Sequence, residues 1–81
     1  MTVVLDSQPA KYLNCLNDPI KGRIIKGLQK LGNEPPEGDI KKLQGRLDYR
    51  LRIGGYRVIF RIENETIIVS KIAPRGQAYK E

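Results

Sequence analysis

Residues 49 to 62 read YRLRIGGYRVIFRI, with arginines at 50, 52, 57 and 61 around a Gly54-Gly55 pair. Five of the chain's seven arginines lie between positions 46 and 61, and Asp48 is the only acid between 40 and 62. A guanidinium stays charged in proteins and offers a rigid fork of donors matched to phosphate oxygens. Several of them with little local counter-charge favour binding of phosphate. Lys41 and Lys42 lie just upstream, and Arg75 and Tyr79 close the chain. A tyrosine there can stack on a base or donate a proton.

The missing residue types narrow the chemistry further. The chain has no histidine and a single cysteine, Cys15. Without histidine there is no Ser-His-Asp triad and no histidine-containing metal site. Cys15 has no base to activate it and reads as a small filler on a helix. It also has no partner for an internal disulfide, which suits a reducing compartment. Neither a metal nor an organic cofactor is expected. Any catalysis has to use Arg, Lys, Tyr and carboxylates.

The 81 residues suffice for one small domain spanning 1–81. With 40% hydrophobic and 30% charged residues the composition is that of a folded chain. The net charge of +6 suits an anionic partner, whether nucleic acid, an acidic protein or an anionic surface. No apolar run approaches the ~18 residues that span a bilayer, and no signal-peptide pattern opens the chain. The expected location is the cytoplasm, with no membrane partner.

The elements that must position the arginines follow from periodicity. Thr2-Val3-Val4-Leu5 suits a short first strand. Asp6, Ser7 and Pro9 signal a helix start, and Ala10, Tyr12, Leu13 and Leu16 give that helix an apolar stripe. Asp18-Pro19 signals a second start, with Asp as cap and Pro as first helical residue. Ile20, Ile24, Leu28 and Leu31 form its buried face, and Lys21, Arg23, Lys26 and Lys30 its solvated one. Gly32-Asn33 and Pro35-Pro36 end it. Lys41 to Leu47 is compatible with a short strand or a turn.

From Tyr49 the period changes to 2. Gly54-Gly55 is a two-residue hairpin signal, which sets Ile53 opposite Tyr56, Arg52 opposite Arg57, Leu51 opposite Val58 and Arg50 opposite Ile59. Alternation then puts Tyr49, Leu51, Ile53, Tyr56, Val58, Phe60 and Ile62 on a core face and the four arginines on the other. Opposed like charges cost roughly 0.2–1 kcal/mol, so the Arg52/Arg57 pair weakens the hairpin locally. Arg46 and Arg61 extend the basic stretch. Thr66 to Ile72 is β-branched and apolar, as an interior strand covered on both faces should be. The expected fold class is α+β: a short first strand, then a two-helix hairpin packed on one face of a small antiparallel sheet, in the order βααβββ.

Taken together, the paired helices, KKLQGRLDYRLRIGGYRVIFRI and the closing PRGQAY resemble the RelE/ParE superfamily of bacterial toxins from type II toxin–antitoxin systems. The RelE-like branch consists of mRNA endonucleases that cut transcripts in the ribosomal A site without a metal, the RNA 2′-hydroxyl attacking its own phosphorus. The resemblance implies that activity here, and translation inhibition as its consequence. It places catalytic roles on Arg50, Arg52, Arg57, Arg75 and Tyr79, with Arg57 and Arg75 clamping the phosphate. Lys41, Lys42, Arg46 and Arg61 would bind RNA around them. The implied partners are the ribosome, mRNA and a cognate antitoxin, in a heterotetramer or larger complex. RelE-type nucleases carry lysines where this chain has Arg50 and Arg52. Arginine does not give up its proton, so the general base is unassigned. The alternatives are a ParE-like inhibitor of DNA gyrase on the same fold, and an RNA-binding module without catalysis.

Overall fold

The computed structural model describes residues 1–74. Its elements are β1 (Thr2–Leu5), α1 (Ser7–Asn14), α2 (Ile20–Leu31), β2 (Asp39–Lys42), β3 (Tyr49–Ile53), β4 (Tyr56–Glu63) and β5 (Thr66–Pro74). The strands form one sheet in the order β1-β5-β4-β3-β2. The α+β class and the helix pair on one face hold as expected. Two details differ. Asp39–Lys42 pairs with β3, which makes five strands, and β1 joins β5 in parallel, which makes the sheet mixed. Neither strand exceeds four residues, too short for a periodic signal. Their pairing is set by where the helices return the chain, not by pattern.

The hairpin register matches the expected one residue by residue, including Arg52 opposite Arg57. Gly54 has φ +55, a conformation glycine adopts without strain at the first position of a two-residue turn. On the helix-facing side, Leu51, Val58, Phe60, Ile67, Val69 and Ile72 meet Leu13, Ile24, Leu28 and Leu31 in one buried cluster. Tyr49 stacks on Phe60, with ring centroids 5.5 Å apart. At Gly27 the helix comes so near β3 that a Cβ would lie 2.5 Å from Ile53 Cδ1. Burying each such aliphatic side chain is worth about 1.5–3 kcal/mol, which is what clamps the helices to the sheet.

Two polar devices complete the packing. The side-chain amide of Gln8 donates to the Ile72 carbonyl at 3.1 Å and accepts from the Ile72 N–H at 3.0 Å. It thereby takes the place of a strand where β5 runs past the end of β1. α2 begins at Ile20, one residue later than expected, so Pro19 and not Asp18 is its N-cap residue; Asp18 Oδ1, one position further out, still accepts the Gly22 N–H of the first turn at 3.1 Å. Cys15 is exposed at the C-cap of α1, because that helix ends at Asn14. It is therefore not the helix filler expected.

β5 carries a feature that periodicity did not reveal. Ile59 pairs with Lys71 and Phe60 with Val69, leaving Ser70 as an extra residue. The bulge lets Val69 and Ile72, three residues apart, both face the core. Lys71 and Ala73 consequently share the opposite face with the arginines.

Candidate nucleic-acid interface

The face of the sheet away from the helices is organised in cross-strand rows. One row runs Lys41, Arg50, Ile59, Lys71; the next runs Asp39, Arg52, Arg57, Ala73. Residues paired in this way point to the same side of the sheet. Four strands thus gather cations that are up to thirty positions apart in sequence (41 to 71).

The turn after β2 folds over this face. Leu43 packs on buried Ile59 and Ala73, a small apolar cluster separate from the main core. Leu43 and Gln44 then wall a cavity of about 340 Å³ whose other lining residues are Lys41, Lys42, Arg50, Arg52 and Arg57. A larger groove of about 440 Å³ lies between the helices and β1 and is lined mainly by apolar side chains such as Val3, Leu13 and Leu28. It holds none of the cations.

The three cavity arginines stand in different environments. Arg57 is 9% exposed, the only buried charged residue among the described residues. The Arg50 side chain is 11% exposed, and its Nη1 lies 3.1 Å from the Asp39 carbonyl oxygen and 3.4 Å from Asp39 Oδ1. Arg52 is the open one: its side chain is 44% exposed, with Nε 3.9 Å from Asp39 Oδ2. Asp39 stands directly opposite Arg52 on β2, so Arg52 has a like charge on one side and an opposite charge on the other. Internal compensation is therefore greater than the sequence suggested. The acid that supplies it lies just before the basic stretch, and only the β2 register brings it in.

Of the residues singled out in the sequence, the fold gathers Lys41, Lys42, Arg50, Arg52 and Arg57 around one cavity. Arg46 is in the adjoining turn, with Nη2 2.8 Å from Asp48 Oδ2. Arg61 does not line the cavity; four residues beyond Arg57, it is about 13 Å further along β4. Its Nε donates to Glu63 Oε2 at 2.8 Å, a bond that raises its already high pKa. Arg75 and Tyr79 lie outside the described residues. Lys71, Leu43 and Gln44 were not anticipated; Lys71 was hidden by the bulge and the other two by the turn. No group of acidic, histidine or cysteine residues able to hold a metal occurs among the described residues.

Two helices packed on a five-stranded mixed sheet form an α+β fold that matches solved RelE structures. Residues 9–79 match the family model described as the ParE toxin of type II toxin-antitoxin system, parDE. The chain belongs to this family, within the RelE/ParE superfamily, and is a toxin of a type II toxin–antitoxin system. It is similar to a chain of the archaeal RelE–RelB complex from Pyrococcus horikoshii OT3, at 33% identity over 95% of this chain and 97% of that one, with a TM-score of 0.78. A chain of the RelB–RelE antitoxin–toxin complex from Methanococcus jannaschii is 25% identical over 94% of both chains, with a TM-score of 0.75. The isolated RelE toxin of E. coli shares the fold at 17% identity, with a TM-score of 0.77 over 96% of this chain and 87% of that one. No curated protein matches the sequence. No helix among the described residues is long and apolar enough to cross a membrane.

Proposed function

We propose that residues 1–81 form one toxin domain that acts as a ribosome-dependent, metal-independent mRNA endonuclease and so inhibits translation. The observation that carries this reading is the cavity in which Lys41, Arg50, Arg52 and Arg57 converge on one sheet face. Cations fixed on strands are oriented before the ligand arrives, which favours the extra negative charge of a phosphorane over the charge of the resting phosphate. Arg57 and Arg75 take the phosphate. Arg52, the most open cavity arginine, holds an adjacent part of the RNA, and Arg50 supports it from beneath. Tyr79 stacks on or orients a base. Lys42, Arg46 and Arg61 guide the flanking backbone. The work is cytoplasmic, where ribosomes and mRNA are.

A cognate antitoxin is the partner this reading requires, in a heterotetramer or larger assembly. The matched chains from P. horikoshii and M. jannaschii both come from toxin–antitoxin complexes. A flexible acidic segment laid over the basic face would block the site and add stability to the toxin by linkage.

The family model's own description favours one second reading, inhibition of DNA gyrase without nuclease chemistry. Primer extension on mRNA from cells expressing the chain separates the two. Cuts inside translated codons are expected, and Arg57→Ala should abolish them and relieve growth arrest. Intact mRNA together with blocked supercoiling by purified gyrase would transfer the toxin to the second reading.

A further inference from the structure

The nuclease reading leaves one job without a residue, and this inference rests on that reading. Attack by a 2′-oxygen on phosphorus needs an acceptor for the hydroxyl proton. The arginines of the cavity cannot serve, because a guanidinium does not deprotonate in proteins. Among the described residues that line the cavity, Lys41 and Lys42 alone carry an amine, a group that can act as a general base.

The strand register separates the two. Lys42 is opposite Tyr49, whose ring belongs to the helix-facing layer with Phe60. Lys41 is opposite Arg50, on the face that carries the arginines. Their exposures complete the distinction. Arg50 is nearly enclosed and held by both the backbone and the carboxylate of Asp39, whereas Lys41 is exposed. Of this pair the lysine is the group that an incoming ligand meets; Lys71, in the same row, does not line the cavity. The Asp39 carboxylate lies within 4 Å of both Arg50 and Arg52 and does not line the cavity.

We propose that Lys41 is a catalytic residue, the acceptor of the 2′-hydroxyl proton. Neutral Nζ takes the proton, the 2′-oxygen forms its bond to phosphorus, and the phosphorus–O5′ bond breaks. The O5′ leaves with that electron pair and is protonated by water, and the Lys41 ammonium returns its proton to the solvent. The products are a 2′,3′-cyclic phosphate and a 5′-hydroxyl end, with Arg57 holding the non-bridging oxygens throughout.

The test is single-turnover cleavage of mRNA on programmed ribosomes across a range of pH, with wild type, Lys41→Arg and Asp39→Asn. Lys41→Arg keeps the charge and the ability to bind phosphate but loses the ability to take the proton. It should slow cleavage about 100-fold or more and flatten the rise of rate with pH, while ribosome affinity and circular dichroism stay as in the wild type. A Lys41→Arg rate within twofold of wild type, with an unchanged pH profile, would overturn the inference and leave the nuclease reading standing. The inference fails in the same way if Asp39→Asn, and not Lys41→Arg, removes the pH dependence. Uncut mRNA with the wild-type protein would instead remove the nuclease reading, and this inference with it.

Discussion

Arg50 and Arg52 differ by one turn of the pleat, and their environments set them to different tasks. Arg50 is enclosed beside Asp39, with a backbone carbonyl and a carboxylate within reach of one nitrogen. Arg52 is open and only loosely paired. Truncating Arg50 leaves the Asp39 groups with a lost partner near the sheet edge, so Arg50→Ala should lower stability by about 1–2 kcal/mol in urea unfolding. Arg52→Ala should leave stability within about 0.5 kcal/mol of wild type. It should instead weaken RNA binding and reduce the slope of log affinity against log salt by about 0.7, the contribution of one phosphate contact to a single strand. Equal effects of the two substitutions on both measurements would show that the environments do not divide their roles. The opposed Arg52 and Arg57 are intelligible at this scale too. A like-charge pair is unfavourable when bare, and here Asp39 relieves it from the far side of Arg52.

Elements decide how firmly these side chains are held. β4 is the centre of the sheet and carries Arg57 between Val58 and the hairpin turn. Its rigidity depends on β5, and β5 in turn depends on α1 through Gln8. The Gln8 amide satisfies both backbone groups of Ile72, beyond the reach of β1. Gln8→Ala should therefore cost about 1–3 kcal/mol, since a part-buried N–H and C=O lose their partners together. Denaturant unfolding with an unchanged m-value would measure it. Gln8→Glu keeps the acceptor for the Ile72 N–H but not the donor, and should fall between the two. A cost below about 0.5 kcal/mol for Gln8→Ala would mean that water replaces the amide. The bulge at Ser70 acts at the same scale. By adding one residue it returns Ile72 to the core and turns Lys71 to the arginine face, so a change of register in β5 would alter core and cationic face at once.

Across the whole molecule, charge and hydrophobic packing are segregated onto the two faces of one sheet. The helices cover one face and contribute four of the ten residues in the main buried cluster. The other face is left with its cations, an apolar patch around Ile59 and one turn folded over it. The cations of that face are therefore concentrated over one cavity, while Lys21, Arg23, Lys26 and Lys30 lie on α2, on the other side of the sheet. If Lys41, Lys42, Arg52 and Arg57 each meet one phosphate, log affinity for single-stranded RNA should fall with log salt at a slope of about −3. Filter binding between low and physiological salt would give the slope. A value near zero would assign recognition to stacking and hydrogen bonds and not to the cationic face.

Much of this was legible from the chain alone. The helix pair, the hairpin with its register and the two-faced arrangement of YRLRIGGYRVIFRI all follow from local rules: apolar spacing of 3.6 or 2, a Gly-Gly turn, an Asp-Pro helix start. Such rules act over a few residues, so a single sequence suffices to read them. What remained for the tertiary structure were the choices that depend on distant partners. The parallel docking of β1 on β5, the recruitment of Asp39 to Arg50 and Arg52, and the bulge that repositions Lys71 have no local signature. Each is decided by which backbone edge or charge another part of the chain happens to present. The sequence alone determined that there would be an arginine face, because side-chain alternation is built into the strand. Only the tertiary structure decided which of its arginines is open, because exposure depends on what β2 and its turn lay across that face.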